Sequence, residues 1–288
     1  MRIVRPIRFT AWPATVTRLH WSEVRPVCVT VLLIVLSCLG AVAKGAPEAG
    51  PSVESRDLRM VLRADLGGVA KLVDKETGRD YAGNPTEPPG LYQLSIGRKP
   101  ASAVKVSSSQ AASHRSTTHD DGLELHFEHD EKLPIVVTCR ITASPDRDGI
   151  RWRISVDNRT GKPLTGLEYP ILACRRQLGE SFQDDAVLHP SLEGVLLCKP
   201  QKHLTKGRSA RQTYPGKASL QFLYYFDPRG GLYIGAHDTE GHPKTAVAAG
   251  VEGGLLLNWS HGFPSEHRPT TNLAYDVVWR AGGGTWQH

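Results

Sequence analysis

Apolar and polar residues alternate along most of this chain with a period of two. In Ile150-Arg151-Trp152-Arg153-Ile154-Ser155-Val156-Asp157 the residues Ile150, Trp152, Ile154 and Val156 share one face, the pattern of a strand with one side on a core. Leu123, Leu125 and Phe127 repeat it against Glu124, His126 and Glu128, and Ile135, Val137, Cys139 and Ile141 form a third stripe. The connecting stretches HDEKLP and SPDRDG are rich in turn formers, which predicts an antiparallel meander. Further on, Leu220–Phe226 and Leu232–Ala236 flank Asp227-Pro228-Arg229-Gly230-Gly231. Ala246–Gly250 and Leu255–Trp259 flank Val251-Glu252-Gly253-Gly254. Both read as hairpins, and Leu273–Arg280 reads as a last strand. A helical period persists for no more than about two turns, best over Ile171–Phe182, and no internal repeat is present. The prediction is an all-β protein. A large antiparallel β-sandwich fits better than a closed barrel, because about a dozen strands exceed what one small barrel uses.

Charge changes the picture only at the N-terminus. The 288 residues carry a net charge of +6, which invites a nucleic-acid reading. Arg2, Arg5, Arg8, Arg18 and Arg25 against Glu23 supply four of those units, and they precede the apolar run Val27–Gly40 and then Ala41-Val42-Ala43. A cationic segment, an apolar core and an A-x-A site describe a secretory signal peptide. The run is shorter than the about 20 residues of a spanning helix. Val35-Leu36-Ser37-Cys38 loosely resembles a lipobox, so a lipid on Cys38 is a second route to a membrane. The expected organisation is a signal peptide over 1–43, a linker over 44–55 (KGAPEAGPSVES), a β-sandwich over 56–281 and a junction over 282–288. The expected location is outside the cytoplasm: secreted, periplasmic or on the cell surface. Beyond residue 43 the net charge is near neutral and no basic run exceeds Arg175-Arg176, which argues against nucleic-acid binding.

Two stretches carry a family resemblance. Gly68-Val69-Ala70-Lys71-Leu72-Val73-Asp74-Lys75-Glu76-Thr77-Gly78-Arg79-Asp80-Tyr81 resembles the opening hairpin of N-terminal domains in large glycoside hydrolases. Tyr214-Pro215-Gly216-Lys217-Ala218-Ser219-Leu220-Gln221-Phe222, then Gly231-Leu232-Tyr233-Ile234-Gly235-Ala236-His237-Asp238 and Lys244, resembles a family of large secreted bacterial glycoside-hydrolase-like proteins. Asn158 with Pro170 in VDNRTGKPLTGLEYP (156–170) and the stretch from Asp185 to Gly194 fit the same pattern. The resemblance covers roughly residues 56–288. It implies a galactose-mutarotase-like supersandwich that precedes a (β/α)8 barrel in such proteins. Family catalytic carboxylates would sit in that barrel, which this sequence does not include.

The chemistry within the chain is sparse. Glycoside hydrolysis needs two carboxyl groups flanking the scissile bond, and none of Asp227, Asp238, Glu240, Glu252 and Asp276 is marked as half of a pair. Asp227 reads as a turn cap and Asp276 as a solvated strand residue. The strongest candidate contact with a carbohydrate or a neighbouring domain is the polar cluster His237, Asp238, Glu240 and Lys244. Turn chemistry alone also accounts for much of it. Trp259, with Trp279 and Trp286, is either a sugar platform or core. His126 and His129 are three apart on a strand and so face opposite ways, which excludes a shared metal. No cofactor is implied. Cys139 reads as a small buried hydrophobe, while a Cys174–Cys198 disulfide is one option in an oxidising compartment. Asn158 and Asn258 begin glycosylation sequons on paper.

These observations favour a non-catalytic β-sandwich domain of a glycoside-hydrolase-like protein, with carbohydrate and a C-terminal barrel domain as its partners. A stand-alone carbohydrate-binding module and a structural surface protein are the rivals. A sugar mutarotase is a weaker one, because it needs a paired histidine and carboxylate that the sequence does not display.

Overall fold

Ala49–Glu54 (β1), Leu58–Arg63 (β2) and Val69–Asp74 (β3) form a three-stranded antiparallel sheet in a computed structural model that describes residues 49–85, 89–98 and 102–283. The strands that follow are Gln93–Ile96 (β4), Val104–Ser107 (β5), Ser113–His119 (β6), Gly122–Glu128 (β7), Ile135–Thr142 (β8) and Ile150–Asn158 (β9). Then come Leu164–Glu168 (β10), Leu172–Arg175 (β11), Ala186–His189 (β12) and Val195–Cys198 (β13), and a single helical turn, Pro200–His203 (α1). Ser209–Tyr214 (β14) leads to two hairpins, Phe222–Asp227 (β15) with Gly230–His237 (β16), and Lys244–Val251 (β17) with Gly254–Gly262 (β18). Thr270–Asn272 (β19) and Asp276–Gly282 (β20) complete the described chain.

Two large sheets close over one core. A ten-stranded sheet runs β13-β12-β15-β16-β20-β9-β8-β7-β6, with β19 also paired to β9, and a seven-stranded sheet runs β14-β17-β18-β10-β4-β5, with β11 on β18. All registered pairs between strands are antiparallel, and β7, β8 and β9 form the meander their alternation predicts. Leu125, Cys139, Ile154 and Trp152 from that meander pack into the same buried cluster as Leu94, Leu257 and Trp259 from the opposite sheet. Leu58, Met60 and Leu62 of β2 extend the cluster. The protein is an all-β sandwich.

The structure corrects two expectations. Within the stretch assigned to a linker, residues 49–54 are β1 and pair with β2. The helical period over Ile171–Phe182 becomes the strand β11, because Leu172 and Cys174 alternate into the core while the backbone pairs with β18. A tertiary pairing partner outweighs a weak local period. The signal segment, Cys38 and residues 284–288 lie outside the described residues.

Candidate functional site

The seven-stranded sheet turns Lys244 inward. Along β17, Lys244 alternates with Ala246 and Ala248 on the core side, and it stands directly opposite His261 of β18, which continues the inward row Leu255, Leu257 and Trp259. The Lys244 side chain is fully buried. Its Nζ donates to Asp238 Oδ2 at 2.5 Å and to the His242 carbonyl at 2.8 Å. Nζ also lies 4.7 Å from the Tyr214 ring centre and 4.8 Å from that of Tyr275, so two aromatic faces take the place of water around the ammonium. Asp238 is buried as well and accepts from the His242 amide at 2.6 Å, the Glu240 amide at 3.1 Å and His242 Nδ1 at 2.9 Å. Burial pushes the Asp238 carboxyl up, but its hydrogen bonds from Lys244 and His242 outweigh that and hold it well below the usual carboxylate range. Burial lowers the Lys244 ammonium, against the pull of Asp238. His261 bonds the Tyr275 hydroxyl at 2.7 Å and the Tyr169 carbonyl oxygen at 3.0 Å. Its own burial lowers it to about 4, so the ring is neutral and donates one of these bonds.

Above this network lies a cleft of about 630 Å³. Its floor is Tyr275 with His242 and His261, and its walls come from the segment between β18 and β20, including Phe263, Arg268 and Asn272. That segment is anchored at several points. The Phe263 amide donates to Thr165, the Asn158 amide donates to the Pro269 carbonyl, and the Leu273 amide donates to Ile154. Among the described residues no carboxylate lines the cleft, and no three His, Cys, Asp or Glu side chains gather as a metal site.

The polar cluster read from the sequence divides between two faces. Asp238 belongs to the buried network. His237, one residue earlier, points outward and bonds the Tyr233 hydroxyl at 3.2 Å. Tyr233 reaches along its strand because residue 235 is glycine, since a Cβ there would overlap the tyrosine hydroxyl. Tyr233 and Phe222 stack at 5.2 Å and Tyr224 and Phe226 at 5.0 Å. With Leu188 they form a second apolar cluster on the outer side of the ten-stranded sheet. Glu240 is exposed, and its carboxylate lies 3.5 Å from the outer nitrogen of His242.

Other candidates resolve plainly. Trp259 and Trp279 are core residues with no exposed face, so Trp259 offers no sugar platform. Cys174 and Cys198 are both free thiols, not a disulfide. Cys174 faces the core from the seven-stranded sheet, whereas Cys198 sits exposed on the outermost strand of the other. Asp227 does cap its turn, accepting from the Arg229 amide at 2.8 Å. It also pairs with Arg79 at 2.9 Å, with both side chains nearly buried, a partner 148 residues away that no local pattern announces. Asp276 bonds Arg153 on the outer face at 2.5 Å. Asn158 and Asn258 are buried, which removes both sequons from the surface.

No family model matches the sequence, and no curated protein matches it. Solved structures do match in fold. An α-N-acetylgalactosaminidase from Bifidobacterium bifidum, NagBb in complex with GalNAc, superposes with a TM-score of 0.57 at 8% identity. The match covers 80% of this chain and 36% of that one. The GH36 α-galactosidase AgaB from Geobacillus stearothermophilus gives a TM-score of 0.50 at 12% identity, over 81% of this chain and 40% of that one. The chain therefore spans well under half the length of these structures, and at such identities the likeness is one of fold.

Proposed function

We propose that this chain is the non-catalytic, N-terminal β-sandwich portion of an exported glycoside-hydrolase-like protein, and that it packs against a catalytic barrel and shapes one side of a carbohydrate cleft. The observation that carries this reading is the fold match: four-fifths of this chain corresponds to about two-fifths of each of two glycoside hydrolases. The half-buried Phe222 and Tyr233, packed on the buried pair Tyr224 and Phe226, and the exposed Leu196 of β13 support it, since apolar side chains on a sheet face suit burial against another domain. The N-terminal signal pattern supports export.

The test has two parts. The purified chain is expected to leave aryl α-galactosides and aryl α-N-acetylgalactosaminides uncleaved. Hydroxyl-radical footprinting is expected to label Phe222, Tyr233 and Leu196 in this chain and to leave them protected in the product of the whole gene. Turnover by the chain alone, or equal labelling in both proteins, overturns the proposal.

A mutarotase reading has one observation in its favour, the His242–Asp238 contact at 2.9 Å beside the cleft. Asp238 is committed to Lys244, which leaves His242 alone to move a proton. Polarimetry of freshly dissolved α-galactose that shows no acceleration by the protein disposes of it.

A further inference from the structure

We propose that the cleft over Tyr275, bounded by Phe263, Arg268 and Asn272, is a binding site for a neutral saccharide. This inference rests on the carbohydrate association proposed above, but it places the contact on the segment between β18 and β20. The sequence pointed instead to His237, Asp238, Glu240, Lys244 and Trp259, of which Asp238 and Lys244 are buried beneath the cleft.

Four features lead to this ligand class. A pyranose presents a flat C–H face and a rim of hydroxyls that both donate and accept, so its site joins apolar surface to a few fixed polar groups. Here Phe263, Leu273 and the ring of Tyr275 supply the apolar surface, while Asn272, Arg268 and His242 supply an amide, a guanidinium and an imidazole. The floor carries no uncompensated charge: Lys244 is matched by Asp238 beneath it, and the buried His261 is neutral. On the wall Arg268 is the one Lys, Arg, Asp or Glu side chain of the lining, and it is exposed, so its guanidinium stays solvated and offers its donors to sugar hydroxyls. The site is also built before a ligand arrives. Tyr275 is held by His261 at 2.7 Å and lies over Lys244, and β19 ties the wall to Val156 and its neighbours on β9. A site whose walls are already ordered loses less entropy on binding. At about 630 Å³ the cleft has the volume of ordinary small-ligand sites.

The experiment is calorimetric titration of the purified full chain with D-galactose, N-acetyl-D-galactosamine, melibiose and D-galacturonate, with hydrogen exchange read by mass spectrometry. At least one neutral sugar is expected to bind and to slow exchange in the peptide spanning residues 263–275. Asn272→Ala and Arg268→Ala, both at exposed positions, are expected to fold normally and each to weaken binding about tenfold, as the loss of one or two hydrogen bonds would. No binding by any neutral sugar overturns the proposal. So does protection confined to another peptide, and so does binding of D-galacturonate alone. Footprinting at Phe222 and Tyr233 reports on the domain reading independently. A silent titration with a protected aromatic face therefore removes the saccharide site and leaves that reading standing.

Discussion

Lys244 is a lysine at a core position, on the same side of β17 as Ala246 and Ala248. A fully buried ammonium is tolerable only when it is paired and hydrogen-bonded, and Asp238, the His242 carbonyl and two tyrosine rings meet that demand. Removing one partner strands the other charge, whereas replacing both does not. Lys244→Met and Asp238→Asn are each expected to lower unfolding free energy by about 3–5 kcal/mol. The double variant should lose clearly less than the sum of the two. Urea melts of the three variants check this, and a single-variant loss below about 1 kcal/mol would mean that the pair is not desolvated as described. The same two residues hold the loop between β16 and β17 against Tyr275, so loosening this pair should also disturb the floor of the cleft.

The strands of the meander were legible because each shows a continuous row of large apolar residues facing one way. β13 was not, because its residues Val195, Leu196 and Cys198 are exposed and apolar, and the strand is recognisable only by its pairing with β12. It forms the outer edge of the ten-stranded sheet, where unpaired backbone groups and apolar side chains together invite association. Leu196 stands opposite Leu188 of the outer aromatic cluster. Leu196→Lys is expected to reduce self-association in sedimentation velocity while leaving stability within about 0.5 kcal/mol. A larger loss of stability would place Leu196 inside a packed surface. Thiol labelling reads the same strand a second way. Cys198 should react in the native protein, whereas Cys174 and Cys139 should react only after unfolding. Burial pushes the Cys139 thiol up to about 12 and also raises that of Cys174. An intact protein 2 Da lighter than the all-thiol form would restore the disulfide.

The two sheets and their shared core follow from alternation repeated along the chain, but the cleft does not. Its members come from the loop before β17, the end of β18 and the segment that leads into β20, and only the closure of the sandwich brings them together. His261 shows why: as the last inward residue of β18 it lies just beyond the apolar run Leu255–Trp259, where a periodic reading stops. Its burial has a consequence for the stability of the whole fold. The unfolded chain protonates this imidazole near pH 6.5, but the folded protein does so only at about 4. Between these values the unfolded state binds the extra proton, so stability is full above pH 6.5 and falls as pH drops toward 4. Burial lowers His129 and His189 as well, and they act with the same sign. Asp238, held below its ordinary range, adds a further loss beneath about pH 4. His261 alone should remove about 3 kcal/mol across its window. Urea melts at pH 7 and pH 4.5 are therefore expected to show a clear loss of stability, and His261→Gln should flatten much of that dependence while lowering stability at pH 7. Equal unfolding free energies at the two pH values would show that the imidazole is solvated, and with it that the floor of the cleft is open to water.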